Sequence, residues 1–138
     1  MIDDCSTEPE TINLLENLEF FKNFNFYQTP INLGASGAKN FGILNSTKDI
    51  IVLLDGDDCI PDKSLKIIKN TFFYNPGIDF LFGNYIEFDA DLKLKKYINC
   101  SDITDSNNLL DPYKLALNWK LLGTAPFKKS LFNKVGGF

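Results

Sequence analysis

The sequence predicts a three-layer α/β fold with a mostly parallel central sheet. Three observations carry that expectation. Apolar runs rich in β-branched residues alternate with segments of helical periodicity along the 138 residues. The run Ile50-Ile51-Val52-Leu53-Leu54 has the continuous apolar character of a strand covered on both faces. An acidic turn, Asp55-Gly56-Asp57-Asp58, follows it directly, and open α/β sheets bind ligands off the carboxyl ends of their strands.

Taken in order, residues 1–3 read as the end of a strand. Thr7-Glu8-Pro9-Glu10 has the form of a capping box with proline in the first turn, and Leu14, Leu15, Leu18 and Phe21 continue it as a helix over about 8–23. Residues 25–30 form a short strand ended by Pro30. The small-residue loop Asn32-Leu33-Gly34-Ala35-Ser36-Gly37 leads into a helix over about 36–46. After the strand at 50–54, Pro61-Asp62 opens a helix with Leu65, Ile68 and Phe72 on one face, stopped by Asn75-Pro76-Gly77. Residues 78–88 and 92–98 pair as strands about Asp89-Ala90-Asp91. A helix near 111–122 and a strand-helix piece over 124–135 complete the chain. One domain over residues 1–138 is expected from this length.

Composition removes several functions. The 44% apolar and 23% charged residues belong to a folded globular chain. All 14 cations are lysine, and there is neither arginine nor histidine. Ser-His-Asp and Cys-His catalysis, histidine-based zinc sites and bidentate arginine clamps on phosphate are therefore excluded. A net charge of −4 argues against a nucleic-acid partner. Cys5, Cys59 and Cys100 are odd in number and widely spaced, which fits a reducing compartment better than a disulfide framework. No apolar run is long enough to span a bilayer, and residues 1–4 do not open a signal peptide, so a cytoplasmic location is expected.

Three clusters could carry chemistry. Asp55, Asp57 and Asp58 would repel one another without a cation, and a hard divalent ion such as Mg2+ or Mn2+, bridging to substrate phosphates, suits their oxygens. The alternative is a solvated acidic turn before a helix. An EF-hand fails, because the fifth, sixth and twelfth positions from Asp55 are Cys59, Ile60 and Lys66. A phosphatase of the DxDx[TV] kind would have threonine or valine where Cys59 stands. Asp3 and Asp4 form a second acidic pair, able to accept hydrogen bonds from a base or ribose or simply to cap a helix. The third is the loop at 32–37 with Lys39, where backbone N–H groups and a cation suit an anion.

In combination, these segments resemble family-2 glycosyltransferases of the GT-A fold. Met1-Ile2-Asp3-Asp4-Cys5-Ser6-Thr7-Glu8 is similar to their VDDGSxD segment. Asn32-x-Gly34-x-x-x-Ala38-Lys39-Asn40-x-Gly42 resembles NxGxxxARNxG, Ile51 to Asp58 resembles hhhLDxDD, and Phe127 to Phe138 resembles hxxxxhxxVGGF. The resemblance implies a GT-A (Rossmann-like) nucleotide-diphospho-sugar transferase fold, incomplete at both ends, and transfer of a sugar from a UDP- or GDP-sugar to a glycan or lipid-linked acceptor hydroxyl. It implies an inverting displacement dependent on Mn2+ or Mg2+, in the setting of cell-surface polysaccharide biosynthesis, with a peripheral place at the inner membrane face. By position, Asp4 contacts the base ahead of its neighbour Asp3. Asp55 reaches the ribose or metal, Asp57 ligates the metal, and Lys39 stands where the family has arginine. Cys5 replaces a glycine of the family pattern.

The family's strand before VDDGS and its acidic segment after VGGF are expected outside residues 1–138. The catalytic base is thus expected beyond Phe138, and this chain by itself is expected to be inactive. An uncovered sheet edge would favour a homodimer. A non-catalytic nucleotide- or metal-binding remnant is the competing reading, with the DxD phosphatase behind it.

Overall fold

The computed structural model describes residues 1–17, 24–118 and 124–138. The chain divides into two compact units, one of residues Met1–Ile51 with Lys129–Phe138, the other of Val52–Lys128.

The first unit is built on a parallel pair. β1 (Ile2–Asp3) lies beside β2 (Tyr27–Gln28), with Ile2 opposite Tyr27 and Asp3 opposite Gln28. Tyr27 N–H donates to Met1 O and Thr29 N–H to Asp3 O, at 3.0 and 2.9 Å. Between the strands runs α1 (Pro9–Asn17), which places proline at its first position, where a missing N–H costs nothing. The expected continuation of this helix over 18–23 lies outside the described residues.

α2 (Gly34–Asn45) packs on β1. Gly42 allows that approach: a Cβ there would sit 2.8 Å from Ile2 Cγ1. Ile43 from the same helix is buried, worth about 1.5–3 kcal/mol of transfer free energy. α5 (Lys129–Val135) buries Phe132 in this unit, and Lys129 Nζ donates to Ser46 O at the end of α2. The unit also contains β3 (Ile50–Ile51).

The strand expected over 50–54 is thus shorter, and its burial stops early: Ile51 is buried, whereas Leu54 is 48% exposed. The chain passes from the first unit to the second between Ile51 and Val52, where the strand ends.

In the second unit α3 spans Ser64–Tyr74, three residues later than its proline signal, because a turn closed by Ser64 N–H on Pro61 O comes first. Phe72 is buried, Ile68 is half-buried and Leu65 is exposed, so the expected apolar face is covered only in part. β4 (Tyr85–Phe88) and β5 (Leu94–Ile98) form an antiparallel hairpin, with Tyr85 opposite Ile98 and a register shift between Glu87 and Phe88. The turn is tied by Asp89 Oδ1, which accepts from Asp91 and Lys93 N–H.

A 3-10 turn at Ser101–Ile103 follows, then α4 (Pro112–Asn118) and β6 (Phe127–Lys128). The remainder of the expected helix to 122 lies outside the described residues. The core of this unit is Ile98, Cys100 and Ile103, packed by Phe82, Tyr85, Leu110 and Leu115. Lys128 Nζ meets Asp79 at 3.0 Å, beside an antiparallel bridge from Phe80 to Phe127.

Candidate functional site

The adjacent carboxylates at the end of β1 are held differently. Asp3 is 7% exposed. Its Oδ1 accepts from the Ser6 hydroxyl, and its Oδ2 accepts from Gln28 Nε2 at 2.8 Å and from Ser6 N–H at 3.2 Å. Burial pushes this carboxyl upward, but the bonds from Ser6 and Gln28 outweigh it and hold Asp3 below the ordinary carboxylate value. Both oxygens are therefore engaged in tying the β1 end to the turn at Ser6 and to β2.

Asp4 turns toward the small-residue loop. Its Oδ1 accepts from Leu33 N–H at 2.9 Å and from the Thr29 hydroxyl at 2.8 Å. The Leu33 N–H is the chief reason that this carboxyl also lies below its ordinary value, with Thr29 and the Gly34 backbone adding to it. Thr29 is a buried polar residue that also lies 2.8 Å from Ile31 O. Sequence reasoning did not single it out, although a threonine just before Pro30, at the end of the second strand, is a signal that could have done so.

Asp4 therefore anchors the segment that leads into α2. Gly34 begins that helix at φ +71°, a left-handed conformation that favours glycine, and the Asn32 side chain accepts from Gly34 N–H. Lys39 lies half-buried on the same helix. Asn40 is the next residue on that helix. Its amide brackets the peptide group at Phe138, accepting from Phe138 N–H at 3.0 Å and donating to Phe138 O at 3.1 Å. Gly136 and Gly137, at φ +92° and +102°, let the backbone turn into that position.

Asp55, Asp57 and Asp58 lie in the second unit, in an exposed turn closed by Asp58 N–H on Asp55 O at 3.1 Å. Exposed Cys59 follows, which gives it no packing role there. Lys63, with φ +69°, turns the chain into α3. Among the described residues, no group of three or more His, Cys, Asp or Glu side chains is arranged to hold a metal ion. The first unit thus contains Asp3, Asp4 and Lys39 together, and the second contains the acidic turn.

Among the described residues, no helix is long and apolar enough to cross a membrane. The sequence profile of "Glycosyl transferase family 2" matches residues 1–135. An "Uncharacterized glycosyltransferase" of Haemophilus influenzae is 31% identical over 87 residues, covering 59% of this chain and 26% of that protein. The crystal structure of S. aureus TarS 1-349 superposes with a TM-score of 0.68 at 18% identity, over 98% of this chain and 38% of that one. The chain thus spans about a quarter of the curated relative and somewhat over a third of the solved one. The fold is the GT-A α/β fold. With the acidic turn after β3, the glycine-rich start of α2 and a profile that runs across nearly all residues, this chain belongs to glycosyl transferase family 2.

Proposed function

We propose that this chain supplies the donor- and metal-binding part of an inverting sugar transfer from a nucleotide-diphospho-sugar to an acceptor hydroxyl. The observation that supports it most is the exposed turn Asp55–Asp58 after β3, in a chain whose residues 1–135 match the family.

Asp57 and Asp55 are the residues that would hold Mn2+ or Mg2+, and such an ion would stabilise charge developing on the departing diphosphate. Lys39, in the first unit, offers an anionic group a point charge without the planar fork of an arginine. Asp4, fixed by Leu33 and Thr29, serves the nucleobase or ribose. Asp3 acts through it, by pinning the strand end on which Asp4 sits.

Calorimetry with UDP and GDP, with and without Mn2+, tests this reading. Metal-dependent binding with a Kd on the order of 1 mM is expected, at least tenfold weaker in Asp57→Asn. Equal heats from the two proteins would reject the metal assignment.

A further inference from the structure

Helix α3 packs one face and leaves the opposite one uncovered. Phe72 is buried, and Ser64, Ile68 and Thr71 are half-buried beside it. Those four residues lie on one side of a helix of 3.6 residues per turn. Lys66, Asn70 and Phe73, spaced i, i+4 and i+7, lie on the other, flanked by Lys69, Ile67 and Tyr74. All six are exposed, Phe73 and Tyr74 to 74% each. The two aromatic rings meet edge to face, with centroids 5.1 Å apart.

The charge of this face is opposite to that of the chain. The net charge is −4, yet residues 63–78 hold Lys63, Lys66 and Lys69 and no carboxylate. Of the acids on either side, Asp62 precedes the helix, and Asp79 is paired with Lys128 at 3.0 Å. None of the three lysines takes part in an ion pair among the described residues. The other lysine cluster is different. Lys93, Lys95 and Lys96 share their hairpin with Glu87, Asp89 and Asp91, and Lys93 Nζ lies 3.2 Å from Asp91.

We infer that this face of α3 lies against the surface of an anionic lipid bilayer. Cations and apolar side chains are interleaved across it, with no separate apolar centre and charged rim. Lysine is depleted from the centre of protein interfaces, where its ammonium would lose water. A bilayer accommodates both kinds of side chain. The ammonium groups stay hydrated among lipid phosphates, while Ile67, Phe73 and Tyr74 reach the boundary of the acyl chains. A nucleic acid is disfavoured by the acidic balance of the chain, and a single strand binds in a groove that tracks its backbone, which one convex helix face does not provide. The inference does not rest on the sugar-transfer reading.

Vesicle flotation with the 138-residue chain tests it, because self-associated protein does not float. The chain is expected to float with equimolar phosphatidylcholine–phosphatidylserine vesicles, less so with added salt, and not with phosphatidylcholine alone. One lysine at an anionic surface is worth roughly a factor of five in partitioning, so Lys66→Gln/Lys69→Gln should weaken binding at least about tenfold. Phe73→Ser should weaken it about fivefold, and Lys66→Arg/Lys69→Arg should retain it. These positions are exposed, so the melting temperature is expected to stay unchanged. Lys95→Gln/Lys96→Gln, on the hairpin, should float like the unaltered chain. No flotation with the anionic vesicles, equal flotation with both lipids, indifference to the two weakening changes on α3, or a larger loss from the hairpin variant would overturn the assignment. So would retention of a single-stranded RNA through Lys66 and Lys69 by a chain that ignores vesicles.

Discussion

Asp3 and Asp4 are neighbours with different tasks because one is enclosed and the other faces a loop. Replacing Asp3 by alanine is expected to cost about 1–3 kcal/mol, the range for losing a buried, charge-assisted hydrogen-bond acceptor. Denaturant unfolding measures it. Asp3, Asp4 and Asp105 all lie below their ordinary carboxyl values in the fold. Their contribution is complete above the unfolded carboxyl value of about 3.9 and is lost as pH falls through the lower folded values. A stability profile from pH 7 to pH 2 should therefore be flat in this contribution down to about pH 4 and decline below it. Asp3→Asn should flatten that decline, and an unchanged acid limb would show that Asp3 is not among the groups responsible.

The same scale bears on catalysis. Asp105 is held down chiefly by Leu109 N–H, then Asn107 N–H, and it organises its own loop. A carboxylate so engaged is a weak base.

At the scale of elements, helices were legible and strands only in outline. The reading at 36–46 became Gly34–Asn45, and that at 124–135 became β6 followed by α5, because helical periodicity is a local property. The strand readings at 25–30, 50–54 and 78–88 contracted to Tyr27–Gln28, Ile50–Ile51 and Tyr85–Phe88, because a ladder needs a partner that local sequence does not name.

Close packing between elements was also invisible in the sequence. Gly42 reads there as a poor helix residue, yet the structure makes it the point where α2 meets Ile2. Alanine would gain about 1 kcal/mol of helix propensity, but the overlap at 2.8 Å should outweigh it at about 1–3 kcal/mol. A lowered melting temperature for Gly42→Ala is therefore expected, and a raised one would show that α2 shifts freely.

The β4–β5 hairpin has an outer row of Ile86, Phe88, Leu94 and Tyr97, each about half or more exposed. Such a face with an open edge favours association. Sedimentation should show self-association that grows with concentration and is reduced by Phe88→Lys; equal behaviour of the two proteins would place the contact elsewhere.

For the whole molecule, the expected outcome is donor binding without turnover. A positioned base contributes about 10²–10⁴-fold to such a displacement. The chain has no histidine, and Asp55 and Asp57 serve the metal in the proposed reading. Radiolabelled UDP- and GDP-sugars with mixed hydroxyl acceptors should yield no product above background with the 138-residue chain. Sustained product from it would reject that expectation and make Asp58→Asn the next variant to assay.

The order of amino acids by itself decided the family, the acidic turn, the glycine-rich start of α2 and the absence of histidine chemistry, since spacing along a chain and residue type need no third dimension. Only the tertiary structure decided that Asp3 is internally engaged while Asp4 holds the loop before α2, and that Asn40 grips the backbone at Phe138, 98 residues away. It also decided that uncharged residues drawn from two segments, 78–84 and 99–110, line one groove. Those facts depend on which distant groups share a hydrogen bond or a cavity wall, and the free energy of that sharing appears only when the backbone has closed the loops between them.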